Sequence, residues 1–181
     1  MAIEHTYESL KDLIKAYDIR GVVGSTIDAD TVRTVGAAFA HILYSEGERT
    51  IAVGHDMRPS SPELSAAFAE GATSQGLHVL DLGLTSTDEL YYAAGTFECA
   101  GAMFTASHNP AQYNGIKLCR AGATPVSTDT GLSEISRMLI EGVPAFEGEA
   151  GSVEKRDVLD SYARFLRQLV PLPQGCLLYT S

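Results

Sequence analysis

The stretch "DADTVRTVGAAFAHILYSEGERTIAVGHD", residues 28–56, decides the fold. Val32, Val35, Phe39, Ile42 and Leu43 recur at helical spacing behind Asp28, a residue type suited to capping a helix, and Gly47 is placed to end the run. Thr50 to Val53 is then a short β-rich segment that reads as a buried strand. A helix that hands directly to a buried strand is the repeating unit of an α/β domain.

The same alternation continues outward. Residues 60–76, "SSPELSAAFAEGATSQG", predict a helix with a capping serine, Pro62 at the first helical position and Glu63 in the first turn. "LHVLDLG" (77–83) reads as a strand. "STDELYYAAG" (86–95) reads as a helix, with Ser86 and Glu89 spaced as a capping box. "CAGAMFTA" (99–106) and "GIKLCR" (115–120) read as strands. Ser127 to about Glu141 is expected as a helix, "GVPAFEGEAGSV" (142–153) as a loop and "EKRDVLDSYARFLRQLV" (154–170) as an amphipathic helix. On the N-terminal side, His5 to Lys15 suits a short helix, and "AYDIRGVVG" (16–24) breaks at Gly21 and Gly24. The expected fold class is a three-layer α/β/α domain with a mostly parallel mixed sheet. Its expected organisation is a domain over 1–150, a helix over 151–170 leading toward a second domain, and an atypical, truncated tail over 171–181.

Composition narrows the function. With 13 basic against 23 acidic residues the net charge is −10, so a nucleic-acid partner is disfavoured; a small anionic substrate is not, because a few cations in a cleft govern the local field. No run approaches the roughly 18 apolar residues of a membrane span, and the N-terminus lacks an apolar signal core. The expectation is a cytoplasmic protein without a membrane partner. Cys99, Cys119 and Cys176 have no metal-clip or redox spacing, and Cys99 and Cys119 fall in strand-like contexts that suit small buried hydrophobes. His5, His41, His55 and His78 are scattered and form no ligand set.

The chemistry concentrates in "FTASHNPAQYNGIKL", residues 104–118. Ser107 follows a strand, where open α/β sheets place ligands, and Asn109-Pro110 forces a sharp turn that exposes its hydroxyl and can form a nest for an anion. A hydrolase nucleophile fits poorly: the G-x-S-x-G elbow is missing, and sequence neighbours do not form a Ser–His pair. Phosphoryl transfer fits better, because Ser107, His108 and Lys117 supply a nucleophilic oxygen and cationic groups. An ordinary turn with a hydroxyl at its corner is the simplest alternative for the tetrapeptide alone.

The longer string "TASHNP…YNGIK" resembles the phosphoserine loop of the α-D-phosphohexomutases, in particular the phosphomannomutase/phosphoglucomutase group. "AYDIRG" (16–21), "VGHDMRPSSPEL" (53–64) and "DLGLTSTDELYYA" (81–93) resemble further segments of that family in the same order, so the resemblance covers roughly residues 11–169. It implies that Ser107 carries a phosphoryl group and exchanges it with a hexose phosphate through a hexose 1,6-bisphosphate, moving phosphate between O1 and O6. It implies Mg²⁺ bound partly through the serine phosphate, with Ser107 as the metal-facing residue. His108 would lie beside the transferred group, and Lys117 would assist proton transfer at the sugar hydroxyl. Arg20 would hold phosphate, and Tyr17 would contact substrate or pack. Asn109 and Asn114 are expected to shape the turn, and Gly115 to permit close backbone approach. Asp56 and Arg58 read as a structural pair steadying the loop before the next helix.

The chain also departs from the family. The aspartate-rich Asp-Gly-Asp-Gly-Asp metal loop of the second domain is missing, as are the sugar-recognition loop of the third and the phosphate loop of the fourth. The expectation is a fragment, inactive or nearly so as a mutase by itself, whose last helix exposes Phe165, Leu166 and Leu169. The competing function is a non-catalytic α/β domain that binds an anion or a partner.

Overall fold

In the computed structural model, which describes residues 3–170, the strands form one mixed sheet between two helical layers. The strands are β1 (Ile19–Val22), β2 (Thr50–His55), β3 (His78–Leu84), β4 (Ala100–Phe104), β5 (Tyr113–Arg120), β6 (Thr124–Pro125) and β7 (Val153–Lys155). Their order is β1-β5-β4-β2-β3-β7, with β6 beside β5. β5 alone runs against the others: it is antiparallel to β1, β4 and β6, whereas β4, β2, β3 and β7 pair in parallel.

Strand periodicity assigns the two faces. Ile19, Ile51, Val53, Ala102, Phe104, Ile116 and Leu118 enter the large core under α1 (Tyr7–Leu13), α2 (Ala29–Ser45), α3 (Ser61–Ser74) and α5 (Leu132–Glu141). Phe39 and Phe68 are fully buried there, each worth about 1.5–3 kcal/mol, and the Phe68 ring meets Phe104 edge-on at 5.6 Å. On the opposite face Ala52 and Met103 pack with Leu90 and Ala93 of α4 (Thr87–Thr96). The last helix, α6 (Leu159–Leu169), rests on α4 through the rings of Tyr162 and Phe165 against Tyr92, while Leu159, Leu166 and Leu169 stay exposed.

Local signals hold where they are local. The Asp28 side chain accepts from the Thr31 N–H at 2.8 Å, and Ser86 accepts from the Glu89 N–H at 3.1 Å. Four expectations need correction. Gly21 does not break the chain but sits in β1, the turn coming at Gly24, where φ is 77°. Helix α3 begins at Ser61, so Pro62 is its second residue, and Ser60 makes no cap; its hydroxyl accepts from Asn114 Nδ2 at 2.8 Å instead. Residues 121–127, assigned to no element from the sequence, also contribute: Thr124–Pro125 pairs with the end of β5. The helix expected from Ser127 opens as a single 3₁₀ turn, and α5 starts only at Leu132, after Gly131 with φ 153°. The helix expected over 154–170 starts at Leu159, because Val153–Lys155 is a strand on the edge of β3. The segment before it runs along the surface and is held by Phe146, whose ring meets Tyr44 at 4.9 Å, and by the Gly151 N–H, which donates to Thr73 O at 2.8 Å. The tail expected over 171–181 lies outside the described residues. No described helix is long and apolar enough to cross a membrane.

Cys99 and Cys119 are buried as expected, and burial is the main reason their thiols are pushed up to about 11 and about 12. The thiolate is the reactive form. In a Cys176→Ser background a disulfide exchange reagent at pH 8 should therefore label neither thiol until urea unfolds the chain. Stoichiometric labelling without denaturant would contradict this packing.

Candidate active site

The parallel strands β2, β3 and β4 end at one edge of the sheet, where open α/β sheets bind ligands. The loops that follow them enclose a cavity of about 530 Å³ lined by Met57, Leu84, Thr85, Met103, Thr105 and Ser107. Another cavity, of about 400 Å³ between α3 and β3, contains no residue of the serine loop.

Ser107 stands exposed at the corner of the loop after β4, with φ 53°. That left-handed conformation is uncommon for a residue with a side chain and persists only where its surroundings impose it. Two contacts do so. The Ser107 N–H donates to Thr105 Oγ1 at 3.0 Å, and the Ser107 carbonyl accepts from Arg58 Nη2 at 2.9 Å. Arg58 does more than steady its own loop. Nη2 also donates to Asn109 O at 2.7 Å, and Nη1 donates to Pro110 O at 2.8 Å and Tyr113 O at 3.0 Å. One guanidinium thus ties four carbonyls of the serine loop.

Asp56 anchors that guanidinium, with Oδ2 3.2 Å from Arg58 Nε, though the Nε–H is not aligned for a hydrogen bond. Its Oδ1 accepts from the Arg58 N–H at 3.0 Å and from Ser61 Oγ at 2.7 Å. Burial opposes ionisation of Asp56, but hydrogen bonds from Ser61, the Arg58 N–H and the Thr105 hydroxyl, with the Arg58 charge, outweigh it and hold the carboxyl below its usual range. Asn114, fully buried, donates to Ser60 Oγ and Ser61 Oγ at 2.8 and 2.9 Å and closes the far end of the loop on α3. At Gly115 a Cβ would lie 2.5 Å from Ile19 O, so the expected close backbone approach is the pairing of β1.

The cations come from β1 and β5. Ile19 and Ile116 point into the large core, so Arg20 and Lys117 project from the other face. Arg20 Nη1 donates to Asn109 Oδ1 at 2.7 Å, which ties β1 to the serine loop. Arg20 Nη2 is ion-paired with Asp18 Oδ2, and Lys117 Nζ lies 3.6 Å from the same oxygen. Arg20 Nε is buried without a partner among the described residues. His108 is exposed at the loop corner, and Tyr17 is 72% exposed, so Tyr17 does not pack. The Asn109 N–H donates to Ala106 O at 3.0 Å within the turn, and its side chain also serves as the acceptor for Arg20. Sequence reasoning missed Asp18, Thr105 and the reach of Arg58. Only Asp18 carried a local signal: it alternates with Arg20 around buried Ile19.

The architecture and site define an α/β/α domain that presents one serine, on an imposed turn, at the carboxyl edge of its sheet, with Arg20 bonded to its loop and Lys117 near the carboxylate that pairs with Arg20. Residues 11–142 match the family described as "Phosphoglucomutase/phosphomannomutase, alpha/beta/alpha domain I". The chain belongs to that family. It is 39% identical over 155 residues to a phosphomannomutase of Vibrio cholerae, an alignment covering 84% of this chain and 34% of that protein. It is 41% identical over 153 residues to a Klebsiella pneumoniae phosphomannomutase, covering 82% of this chain and 94% of that one. A crystal structure of a phosphoglucomutase/phosphomannomutase family protein from Burkholderia thailandensis superposes with a TM-score of 0.77 at 34% identity, covering 84% of this chain and 34% of that chain. The chain thus spans about a third of the length of the Vibrio relative.

Proposed function

We propose that the chain is the catalytic-serine domain of a phosphohexomutase acting on mannose or glucose phosphates. Ser107 Oγ attacks a phosphoryl group of a hexose 1,6-bisphosphate; the new Oγ–P bond forms as the sugar O–P bond breaks. The serine proton passes to the departing sugar oxygen with Lys117 as the relay, and the reverse step places phosphate on the free hydroxyl of a hexose monophosphate; taking the other phosphoryl group from the bisphosphate so formed moves phosphate between O1 and O6. Arg20 offers fixed positive charge to the transferred group, with His108 beside it. Tyr17, free of packing, is left to meet the sugar. The observation that carries the reading is the exposed Ser107 on its imposed left-handed turn, with Arg20 bonded to the same loop.

Mg²⁺ belongs to this reading, but the residues present do not fit it by themselves. Among the described residues no three His, Cys, Asp or Glu side chains are grouped to hold a metal ion. Asp56, beside the serine loop, is committed to Arg58, Ser61 and Thr105. In this reading the Ser107 phosphate would be the one ligand this chain offers to Mg²⁺, the carboxylates coming from outside the chain, and no step above depends on it. Positioning carries most of phosphoryl-transfer catalysis, so the isolated chain is expected to show little or no mutase turnover.

The test is intact-mass spectrometry after incubation with Mg²⁺ and glucose 1,6-bisphosphate, alone and with the remaining part of the Vibrio phosphomannomutase added in trans. One phosphoryl group, mapped to Ser107 and absent from Ser107→Ala, is expected. No uptake in either arm, or phosphate at another residue, would leave an anion-binding or partner-binding domain as the better reading.

A further inference from the structure

We propose that Asp18 is a positioning residue of this site, the carboxylate that holds Lys117 and Arg20 together beside the serine loop; this rests on the phosphoryl-transfer reading above. The β1–β5 register dictates the meeting. Arg20 pairs with Gly115 and Ile19 with Ile116, so Asp18, one residue before the start of β1, comes beside Lys117 just past the end of the ladder. Arg20, two residues along from Asp18, projects from the same face. A single oxygen, Asp18 Oδ2, therefore meets both cations. Among the described residues neither cation makes another ion pair.

Two positive side chains on adjacent strands repel, and a lysine stem has four rotatable bonds with which to swing into solvent. Asp18 cancels the repulsion and fixes where each stem ends. Arg20 stays free to reach Asn109 with Nη1 because Asp18 engages the other nitrogen of the fork. The Asp18 side chain is only 13% exposed and the two cations 25% and 28%. Partly desolvated charges of this kind are a poor source of stability compared with apolar neighbours of similar size, so two cations converging on one carboxylate oxygen fit a role in geometry better than one in folding.

Two measurements on the full chain separate this role from general structure. The first needs no phosphoryl chemistry: acetic anhydride is added in limiting amount, and acetylation of Lys117 is followed by peptide mass spectrometry against exposed Lys15. Asp18→Asn should raise labelling of Lys117 several-fold relative to Lys15. The second is the rate of phosphoryl uptake by Ser107 across glucose 1,6-bisphosphate concentrations, with Mg²⁺ and the Vibrio remainder present. Asp18→Asn should lower the limiting rate by about 100-fold, the scale of an ångström of misplacement, with little change in the half-saturating concentration. Asp18→Glu keeps the charge but moves it by one methylene, and should fall between wild type and Asp18→Asn on both readouts; it carries the test if Asp18→Asn does not fold. Unchanged Lys117 labelling in a folded variant, or a loss confined to the half-saturating concentration, overturns the proposal. A wild-type chain that takes up no phosphate overturns the functional reading instead, and the labelling arm still decides whether Asp18 holds Lys117.

Discussion

Replacing Arg58 by alanine is expected to destabilise the chain by about 3–5 kcal/mol, the cost of removing one partner from a largely buried ion pair. The Arg58 and Asp56 side chains are 11% and 14% exposed. The four loop carbonyls lose their common donor, but they lie near the surface and can turn to water, so they contribute less to the loss. Asp56 cannot: it keeps its hydrogen bonds from Ser61 and Thr105 but loses the charge that balances it. At about 2–4 °C per kcal/mol for a domain of this size, the midpoint of thermal unfolding should fall by roughly 10 °C. The Ser107 turn should suffer beyond the global loss, because the guanidinium is one of the two contacts that impose its left-handed conformation. Proteolysis in the 105–113 loop should speed up even where the rest of the chain is folded. Arg58→Lys keeps the charge but has no fork to span four carbonyls. It should recover much of the unfolding midpoint and little of the loop protection. An alanine variant within about 0.5 kcal/mol of wild type, the ordinary range for a surface substitution, would show that the clamp contributes nothing.

Arg58 also marks where sequence reading ran out. Its four acceptors lie 49 to 55 residues away, and nothing in "GHDMRPSS" signals a loop that far along the chain. Asp56 and Arg58 were legible as a pair, but their target was not. The α2 and α4 helices were legible because their caps and apolar spacing lie within a few residues. β1 was not: Gly21 reads as a breaker, and its strand status comes from pairing with Asn114 on β5. β7 is three residues long and exposed, and contacts distant in sequence, Phe146 on Tyr44, Gly151 on Thr73 and Ser152 on Val79, bring it to β3. Ser107, Arg20 and Lys117 were found through the resemblance of their motifs. Asp18 alternates with Arg20 around Ile19, but its meeting with Lys117 shows only once the β1–β5 register is known.

Gly71→Ala poses a contest between two effects of opposite sign. On helix propensity alone, alanine at this position in α3 should stabilise by about 0.5–1 kcal/mol. Packing says otherwise. A Cβ at Gly71 would stand 2.0 Å from Arg33 O and 2.8 Å from Ala37 N, both backbone atoms of α2. Across the same contact a Cβ at Gly36 would stand 2.3 Å from Phe68 O. No rotamer relieves a clash with backbone; α2 and α3 must separate by about an ångström, and close-packed interiors do not yield that cheaply. Both helices hold Phe39 and Phe68 in the large core, so separation loosens contacts along the whole interface. Overpacking of this kind costs about 1–3 kcal/mol and more when the contact is rigid, so the net effect of Gly71→Ala should be a loss of about 2 kcal/mol or more. Gly95 in α4 supplies the control, because a Cβ there meets nothing within 4 Å. Gly95→Ala should show the propensity effect undisturbed, a gain of about 0.5–1 kcal/mol. Urea unfolding of the two variants reads both signs in one experiment. If Gly71→Ala were as stable as Gly95→Ala, α2 and α3 could not be as close as the two glycines place them.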